Sequence, residues 1–396
     1  MTVATILANA ALAMWLAQSF GATIAVASYR LGLPRPEFPG REPGVAVILP
    51  VRGSGRLTQF LPALRAQVYD HYRIIAAVES ADDPAFTLLK TEAARPGAPL
   101  EIVVAGLAEH AGQKVWNQLA ALDRLGPDDE IVAFIDADTA PTPLWLPRLV
   151  AVLVNSGRAV ATGYRWMIPA DSRTSSCGLA AANNAIAALP RAALPMPLVW
   201  GGSVAMRRQT LDSIRIGNFW RGAISDDLQM AEALRKAGLL AHAPRQGLLM
   251  TPVSCSWTEF LEFGLRQYRF VFLHEPASWA TAMAVLWAPP VCLLLALPAL
   301  ASGSIAAWGA LAIGLSLGEA RLRIRRSIER ILWPAVAATS DRRRWRSERL
   351  ARPLWWMAHA LSAAGAPLSR KIAWAGIRYH VDSPQAVVIE AREAPR

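Results

Sequence analysis

The sequence predicts an α/β domain built on a mainly parallel sheet, with membrane-directed helices at both of its ends. Two patterns carry this expectation. Short apolar runs alternate with helical stretches between Gly44 and about Phe270, and two long blocks, Met1 through Tyr29 and Pro276 through Gly318, contain no Asp, Glu, Lys or Arg. At 396 residues the chain can hold one large core plus appended segments. With 53% hydrophobic and 18% charged residues it is too apolar for an ordinary soluble enzyme, which points to membrane contact.

The first charge-free block, Val3 to Ser28, supplies the ~20 apolar residues that a bilayer crossing needs. A cleaved signal peptide is the alternative, since Ala25-Val26-Ala27 resembles a small-residue cleavage site. No basic residue precedes the run, however, whereas Arg30, Arg35 and Arg41 follow it. That asymmetry favours a retained anchor over 1–29, with the amino terminus outside and the next domain, 30–272, in the cytosol.

Within 30–272, Val45 to Leu49 forms a buried strand, followed by a loop through Arg52-Gly53-Ser54-Gly55 and a helix over 57–67. Arg73 to Val78, Glu101 to Ala105 and Ile131 to Ile135 are further strands, with a helix near 113–124 before the last of them. Such β-α-β alternation gives a parallel sheet covered on both faces, and ligands collect at the carboxyl ends of its strands. A dinucleotide site is not supported: the first loop offers Gly53-x-Gly55 without the third glycine, and no Gly-Lys-Ser/Thr phosphate loop occurs.

The second charge-free block is long enough for a hairpin over about 278–320, with segments 278–300 and 304–320 around a turn at Ser302-Gly303-Ser304. It begins a carboxyl-terminal membrane region, 273–396. The hairpin leads into an Arg-rich stretch, 321–352, where eleven arginines against Glu329, Asp341 and Glu348 account for eight of the chain's formal net charge of +11. Few aromatics are interleaved there and apolar spans lie on both sides, so anionic lipid headgroups suit the stretch better than nucleic acid. Residues 353–368 are apolar, short and flanked by Arg352, Arg370 and Lys371, as in an interfacial or re-entrant segment, and a cytosolic tail follows. Cys177, Cys255 and Cys292 lie far apart, which argues against a disulfide framework or a cysteine zinc site.

Carboxylates mark the candidate chemistry. Glu79 follows the second strand and Asp82-Asp83-Pro84-Ala85 comes next, where one aspartate can cap a helix ahead of proline. Asp136-Ala137-Asp138 follows the buried strand Ile131 to Ile135. Two carboxylates so placed repel unless a cation holds them, and a hard divalent ion shared with substrate phosphates fits; a solvated turn is the alternative. Asp226-Asp227 opens a helical stretch, Leu228 to Lys236, where one aspartate can cap while the other serves as general base. Trp257 to Phe272 is an amphipathic run carrying Arg266-Gln267-Tyr268-Arg269-Phe270, suited to a membrane surface with snorkelling arginines.

In this order the sites resemble those of the family 2 glycosyltransferases, specifically the ceramide glucosyltransferase branch. Asp83, Asp136-Ala137-Asp138, Asp227 and Arg266-x-x-Arg269-Phe270 match that family's early Asp, D-x-D site, third Asp and (R/Q)-x-x-R-W motif. Gly112 to Leu119 resembles its Lys/Asn segment, Gly201-Gly202-Ser203 with Met206-Arg207-Arg208 its acceptor-side loop and strand, and Ile372 to Tyr379 its tail motif. Phe270 stands where the family prefers Trp, and Ala375 and Ile377 stand where polar or basic residues are common.

The resemblance implies a GT-A fold, a UDP-sugar donor, a divalent cation (Mg or Mn) and inversion at the anomeric carbon, with a hexose, glucose in the first place, passing to a ceramide-like lipid hydroxyl. Asp83 would contact the nucleoside, with Lys114 and Phe270 also on the donor side. Asp136 and Asp138 would hold metal and diphosphate, Asp227 would take the acceptor's proton, and Arg266 and Arg269 would stabilise the departing diphosphate. The alternatives are a hopanoid or glycerolipid glycosyltransferase, a processive polysaccharide synthase, and a catalytically inactive membrane scaffold. The Ala- and Arg-rich composition points to a bacterial inner membrane.

Overall fold

The computed structural model describes residues 3–33, 38–189, 199–245, 247–339 and 342–395; Arg35 and Asp341 lie outside them. In chain order, α1 (Val3–Leu31) precedes β1 (Val45–Pro50), α2 (Leu57–Arg65), β2 (Tyr72–Val78), α3 (Pro84–Ala93), β3 (Leu100–Val104), α4 (Gln113–Leu122), β4 (Ile131–Ile135) and α5 (Trp145–Asn155). Next come β5 (Val160–Thr162), β6 (Tyr164–Pro169), α6 (Thr174–Ala187), β7 (Ser203–Arg207), α7 (Arg208–Ser213), α8 (Ile216–Trp220), α9 (Asp226–Lys236), β8 (Ala241–His242) and β9 (Leu248–Val253). The remainder is α10 (Trp257–His274), α11 (Pro276–Ala301), α12 (Ile305–Leu332), α13 (Pro334–Ala338), α14 (Arg342–Leu350), α15 (Arg352–Gly365), β10 (Lys371–Trp374), β11 (Ile377–Ser383) and β12 (Ala386–Arg392).

These elements form two compact units. One comprises Met1–Leu33, Pro169–Pro190 and Val253–Pro367; the other comprises Pro34–Ile168, Arg191–Pro252 and Leu368–Arg396. This interleaved division differs from the consecutive one expected from sequence (1–29, 30–272, 273–396). Helices α6 and α10 group with the long apolar helices, and the last segment groups with the sheet. The reasons are local. The small residues of α6 are almost all buried, and the tail's strands hydrogen-bond to loops of the α/β unit.

The α/β unit is built on a seven-stranded sheet of order β3-β2-β1-β4-β7-β5-β8. Strands β3, β2, β1 and β4 run parallel, whereas β7 is antiparallel to β4 and to β5. Alternate side chains of β1 enter two different cores: Val45, Val47 and Leu49 meet Phe60, Leu61 and Leu64 of α2 and Leu149 and Leu153 of α5, while Ala46 and Ile48 meet Val115 of α4 and Met230 and Leu234 of α9. A strand buried on both faces explains why its sequence is continuously apolar rather than alternating. The tail strands β10, β11 and β12 form a separate antiparallel sheet.

In the helical unit, α1, α11 and α12 are each long and apolar enough to cross a membrane. Ala8, Ala11, Leu12 and Trp15 of α1 pack on Cys292, Ala296 and Ala299 of α11 and on Ala307 of α12. Small residues dominate this contact, as where backbones approach closely without a hydrophobic drive from water. The expected turn forms: Ser304 caps α12 by accepting from the Ala307 N–H, and Gly303 takes φ 74°. Helix α12 does not stop at 320, however, but continues to Leu332 and carries the first arginines of the basic stretch.

Several of those arginines have partners inside the unit. Arg325 is buried against Glu348, Arg323 and Arg349 share Glu319, Arg321 donates to the Ser19 carbonyl at 2.8 Å, and Arg326 lies over the Trp345 ring. The basic stretch is therefore in part an internal bracing device, which narrows the part of it that can face lipid headgroups. Helix α15, 14 residues long, is about 21 Å in length and too short to cross a bilayer. It packs along α10, where Tyr268 Oη meets His359 Nε2 at 2.6 Å.

Candidate active site

Carboxylates from two elements converge in the α/β unit on one ammonium group supplied by a third. Asp136 follows the carboxyl end of β4, and Asp226 is the first residue of α9. Lys114, in the first turn of α4, places Nζ 2.7 Å from Asp136 Oδ1 and 2.9 Å from Asp226 Oδ2. Gln118, one turn further along α4, donates to Asp226 Oδ2 at 2.9 Å. The i, i+4 spacing of Lys114 and Gln118 puts both on one helical face, so α4 presents an ammonium and an amide together.

Burial and charge set the protonation states. Burial opposes the charge on Lys114, but Asp136, Asp226 and Asp227 outweigh it and raise its pKa, so it stays cationic. Burial pushes Asp136 up to about 6, with the nearby Asp138 adding to the rise and Lys114 opposing it. Asp227 is also raised, first by burial and then by Asp226 beside it. A like-charge neighbour and desolvation are what lift a carboxyl toward the range of a usable base.

The capping expected of the aspartate pair falls instead to its predecessor. Ser225 is the N-cap of α9, and its hydroxyl accepts from the Leu228 N–H. Asp226 turns to Lys114 and Gln118. Asp227 Oδ1 accepts from the Leu228 N–H at 2.8 Å and from Ser225 Oγ at 2.6 Å. One Asp227 oxygen is thus pinned, which fixes the direction of the other.

Two glycines make room for this cluster. A Cβ on Gly201 would lie 2.2 Å from Asp226 Oδ2, and one on Gly202 would lie 2.8 Å from Asp136 Oδ2 and 2.2 Å from the Trp200 ring. The Gly201-Gly202 segment that opens β7 therefore belongs against the carboxylates, where only a residue without a side chain fits.

Asp83, which the resemblance assigns to the nucleoside, bonds to two backbone segments. It caps α3, accepting from the Ala85 N–H at 2.8 Å, and both of its oxygens accept from the Gly53 N–H at 3.0 and 3.1 Å. With 1% exposure its carboxylate is spent on backbone, and it is not part of the adjoining cavity wall. Through the Gly53 N–H it holds a loop that does line the cavity.

That cavity, about 300 Å³, lies at the carboxyl ends of β1 and β4. The loop Arg52 to Arg56, the face of α4 with Gln113, Lys114 and Asn117, the segment Asp136-Ala137-Asp138, and Trp374, Ala375, Ile377 and Tyr379 of the tail line it. Asp138 is exposed there and Asp136 half-buried. Among the described residues no group of three or more His, Cys, Asp or Glu is arranged to hold a metal. Two carboxylates in an open cavity suit a hard divalent ion that takes its remaining ligands from substrate phosphates and water.

Sequence reasoning assigned no role to Arg52, Glu79, Arg392 or Trp374. Arg52 donates to Glu79 at 2.9 Å and also to the Ala375 and Glu393 carbonyls, and Arg392 reaches Glu79 at 3.2 Å. Their signals were an acid after a strand and a tail motif, neither of which names a partner. Arg266, Arg269 and Phe270 are carried on α10 in the helical unit.

Comparisons with known proteins agree with this architecture. The structure is similar to mannosyltransferase PcManGT from Pyrobaculum calidifontis, solved in complex with GDP-Man and Mn2+, with 18% identity, a TM-score of 0.54, and coverage of 91% of this chain and 99% of that one. A mycobacterial protein matches at 16% identity and TM-score 0.37 over 62% of this chain and 77% of its own, a likeness too loose to carry an argument. Curated protein sequences gave no match. The model of glycosyl transferase family 21 matches residues 6–387, which agrees with the ceramide glucosyltransferase branch that the motif order had suggested, there as part of family 2. The α/β fold, the D-x-D segment at its strand ends and a family match along nearly the whole chain together make this protein a member of glycosyl transferase family 21.

Proposed function

We propose that this glycosyltransferase moves a hexose, glucose in the first place, from a UDP-sugar to the hydroxyl of a ceramide-like membrane lipid, with inversion at the anomeric carbon. The observation that carries the reading is the Lys114 bridge between Asp136 and Asp226. It sets the acids of α9 beside the D-x-D segment of a cavity suited to a sugar nucleotide. Three helices of membrane-crossing length and composition support a membrane lipid as acceptor and a bacterial inner membrane as the location, with the α/β unit on the cytosolic side. A processive synthase needs a bundle of helices around a channel, more than the three such helices among the described residues.

In the reaction the lipid oxygen forms a bond to the anomeric carbon as that carbon's bond to the diphosphate oxygen breaks. Asp227 takes the hydroxyl proton, a contribution typically worth ~10²–10⁴-fold. Its raised pKa suits it to accept that proton. Asp136 and Asp138 would hold a divalent ion with the donor's diphosphate, and such an ion supplies positive charge against the leaving group. Lys114 keeps Asp136 ionised and aligned. Asp83 acts through the Gly53 loop, and Phe270 takes the donor-side role that the resemblance gives it. Arg266 and Arg269 take the role the resemblance gives them, guanidinium donors to the departing diphosphate.

The test is Asp227→Asn in the full-length protein. Sugar transfer to lipid is lost by at least about 100-fold, while UDP-sugar binding stays within a factor of a few of the wild type. Full transfer activity in the variant removes Asp227 as the base. Lipids extracted from cells with and without the protein identify the acceptor: a hexosyl-ceramide supports the reading, and a glycosylated hopanoid, a glycerolipid or a polymer replaces it.

A further inference from the structure

The sequence motif left without a function is the tail, Ile372 to Tyr379. In the structure it forms β10, a two-residue turn at Ala375-Gly376, and β11, with Trp374 paired to Ile377 across the turn. Both turn residues have positive φ, 50° and 72°. The second is glycine, which takes that conformation freely, but the first is alanine, which does not. A non-glycine residue held in that region is a form of strain that clusters at ligand-binding positions.

The strained turn and the tail sheet that carries it are held by several independent bonds. Arg52 grips the Ala375 and Glu393 carbonyls. The Gln113 N–H donates to Tyr379 Oη at 3.2 Å, and Arg392 reaches Gln113 Oε1 at 2.8 Å. Gln385 donates to the Asn218 and Phe219 carbonyls at 2.9 Å. None of these anchors passes through the Trp374 ring. That ring lines the cavity and stands 5.8 Å from Lys114 Nζ, the same ammonium that holds Asp136. A half-buried indole beside the D-x-D segment offers a flat apolar face, which matches a nucleobase or the apolar face of a sugar ring.

We propose that the carboxyl-terminal hairpin is a donor-binding element of this enzyme, in which Trp374 packs its ring against the sugar nucleotide and the Arg52 bonds fix the ring at the cavity wall. The proposal rests on the sugar-nucleotide reading above and extends it to a residue outside the carboxylate set. The tail thereby contributes to donor affinity and not to the chemical step, because the ring carries no group that moves a proton or holds the diphosphate.

The experiment is titration calorimetry on the full-length protein in detergent with UDP, UDP-glucose, GDP and GDP-mannose, for the wild type, Trp374→Ala, Trp374→Phe and Trp374→Leu. For whichever nucleotide the wild type binds, Trp374→Ala weakens binding about tenfold, equal to about 1.4 kcal/mol. Trp374→Phe restores most of the loss, and Trp374→Leu, with bulk but no aromatic face, restores less. In turnover, donor KM rises in the same order while kcat and acceptor KM hold. Loss with the free nucleoside diphosphate places the ring on the nucleoside, and loss only with the sugar nucleotide places it on the sugar. Unchanged donor binding in Trp374→Ala, or equal rescue by Leu and Phe, overturns the proposal and leaves the tail a structural brace. A wild-type protein that binds none of the four nucleotides overturns the sugar-nucleotide reading itself.

Discussion

Replacing Lys114 by methionine tests the site's electrostatics most directly. The substitution keeps the length and apolar bulk of the stem and removes the ammonium that lies 2.7 Å from Asp136 and 2.9 Å from Asp226. All three side chains are shielded, with 14%, 19% and 4% exposure. Breaking a buried pair by removing one partner costs about 3–5 kcal/mol, because the remaining charge is left uncompensated. For a unit of this size each kcal/mol shifts the melting temperature by roughly 2–4 °C, so the apparent melting point at pH 8 falls by roughly 10 °C.

The pH dependence gives a sharper signature than the size of the drop. Asp136 is already raised to about 6 in the wild type, and Lys114 is what opposes that rise. A carboxyl whose folded pKa exceeds its unfolded value of about 3.9 contributes stability that is fully present below the unfolded pKa and is lost as pH climbs through the folded one. Without Lys114 the folded pKa moves higher still, so the carboxyl can remain protonated and uncharged at pH 5. The variant's deficit is therefore small at pH 5 and full by pH 8. Thermal unfolding in detergent, followed by intrinsic fluorescence at both pH values, measures it. An unchanged melting point at pH 8, or a deficit equal at pH 5 and pH 8, refutes the electrostatic role.

Two other expectations follow from the same geometry. Asp83→Ala removes a helix cap worth about 0.5–2 kcal/mol and leaves the buried Gly53 N–H without its acceptor; donor KM therefore rises through the displaced loop, and a variant with wild-type donor KM would separate Asp83 from the cavity. Chelating divalent ions stops transfer and adding back Mg or Mn restores it, whereas undiminished turnover in chelator, measured as UDP release, would remove Asp136 and Asp138 as the ion-holding pair.

Much of the α/β unit was legible because its signals are local. The strand at Ile131 to Ile135 is apolar at every position since both of its faces are covered, and its observed bounds match those expected. The turn at Ser302-Gly303-Ser304 was legible for the same kind of reason, a glycine with positive φ and a serine cap. The end of α12 was not. Loss of apolar character at Glu319 marks where a bilayer segment would end, but a helix continues as long as its far face has something to pack on, and Glu348 and Trp345 supply it.

The candidate site divides along the same line. The spacing Asp136-x-Asp138 after a buried strand, and paired acids at the start of a helix, can be read from neighbours in sequence. Which of Asp226 and Asp227 faces Lys114 cannot, because helix capping by Ser225 and the approach of α4 decide it together. Asp83 shows what a motif leaves open, since its match implies a ligand contact while its hydrogen bonds to the Gly53 and Ala85 backbone are visible only in the structure.

By itself, then, the sequence determined the apolar helices, the parallel core strands and the list of acidic residues, all through periodicity, burial and spacing over a few residues. Only the tertiary structure decided that Lys114 bridges acids from two other elements, and that a hairpin some 260 residues later lines the same cavity. Contacts of that separation depend on chain-distant backbone carbonyls, such as those of Ala375 and Glu393 that Arg52 holds. Their positions are set by how the sheet and tail pack and by no local pattern.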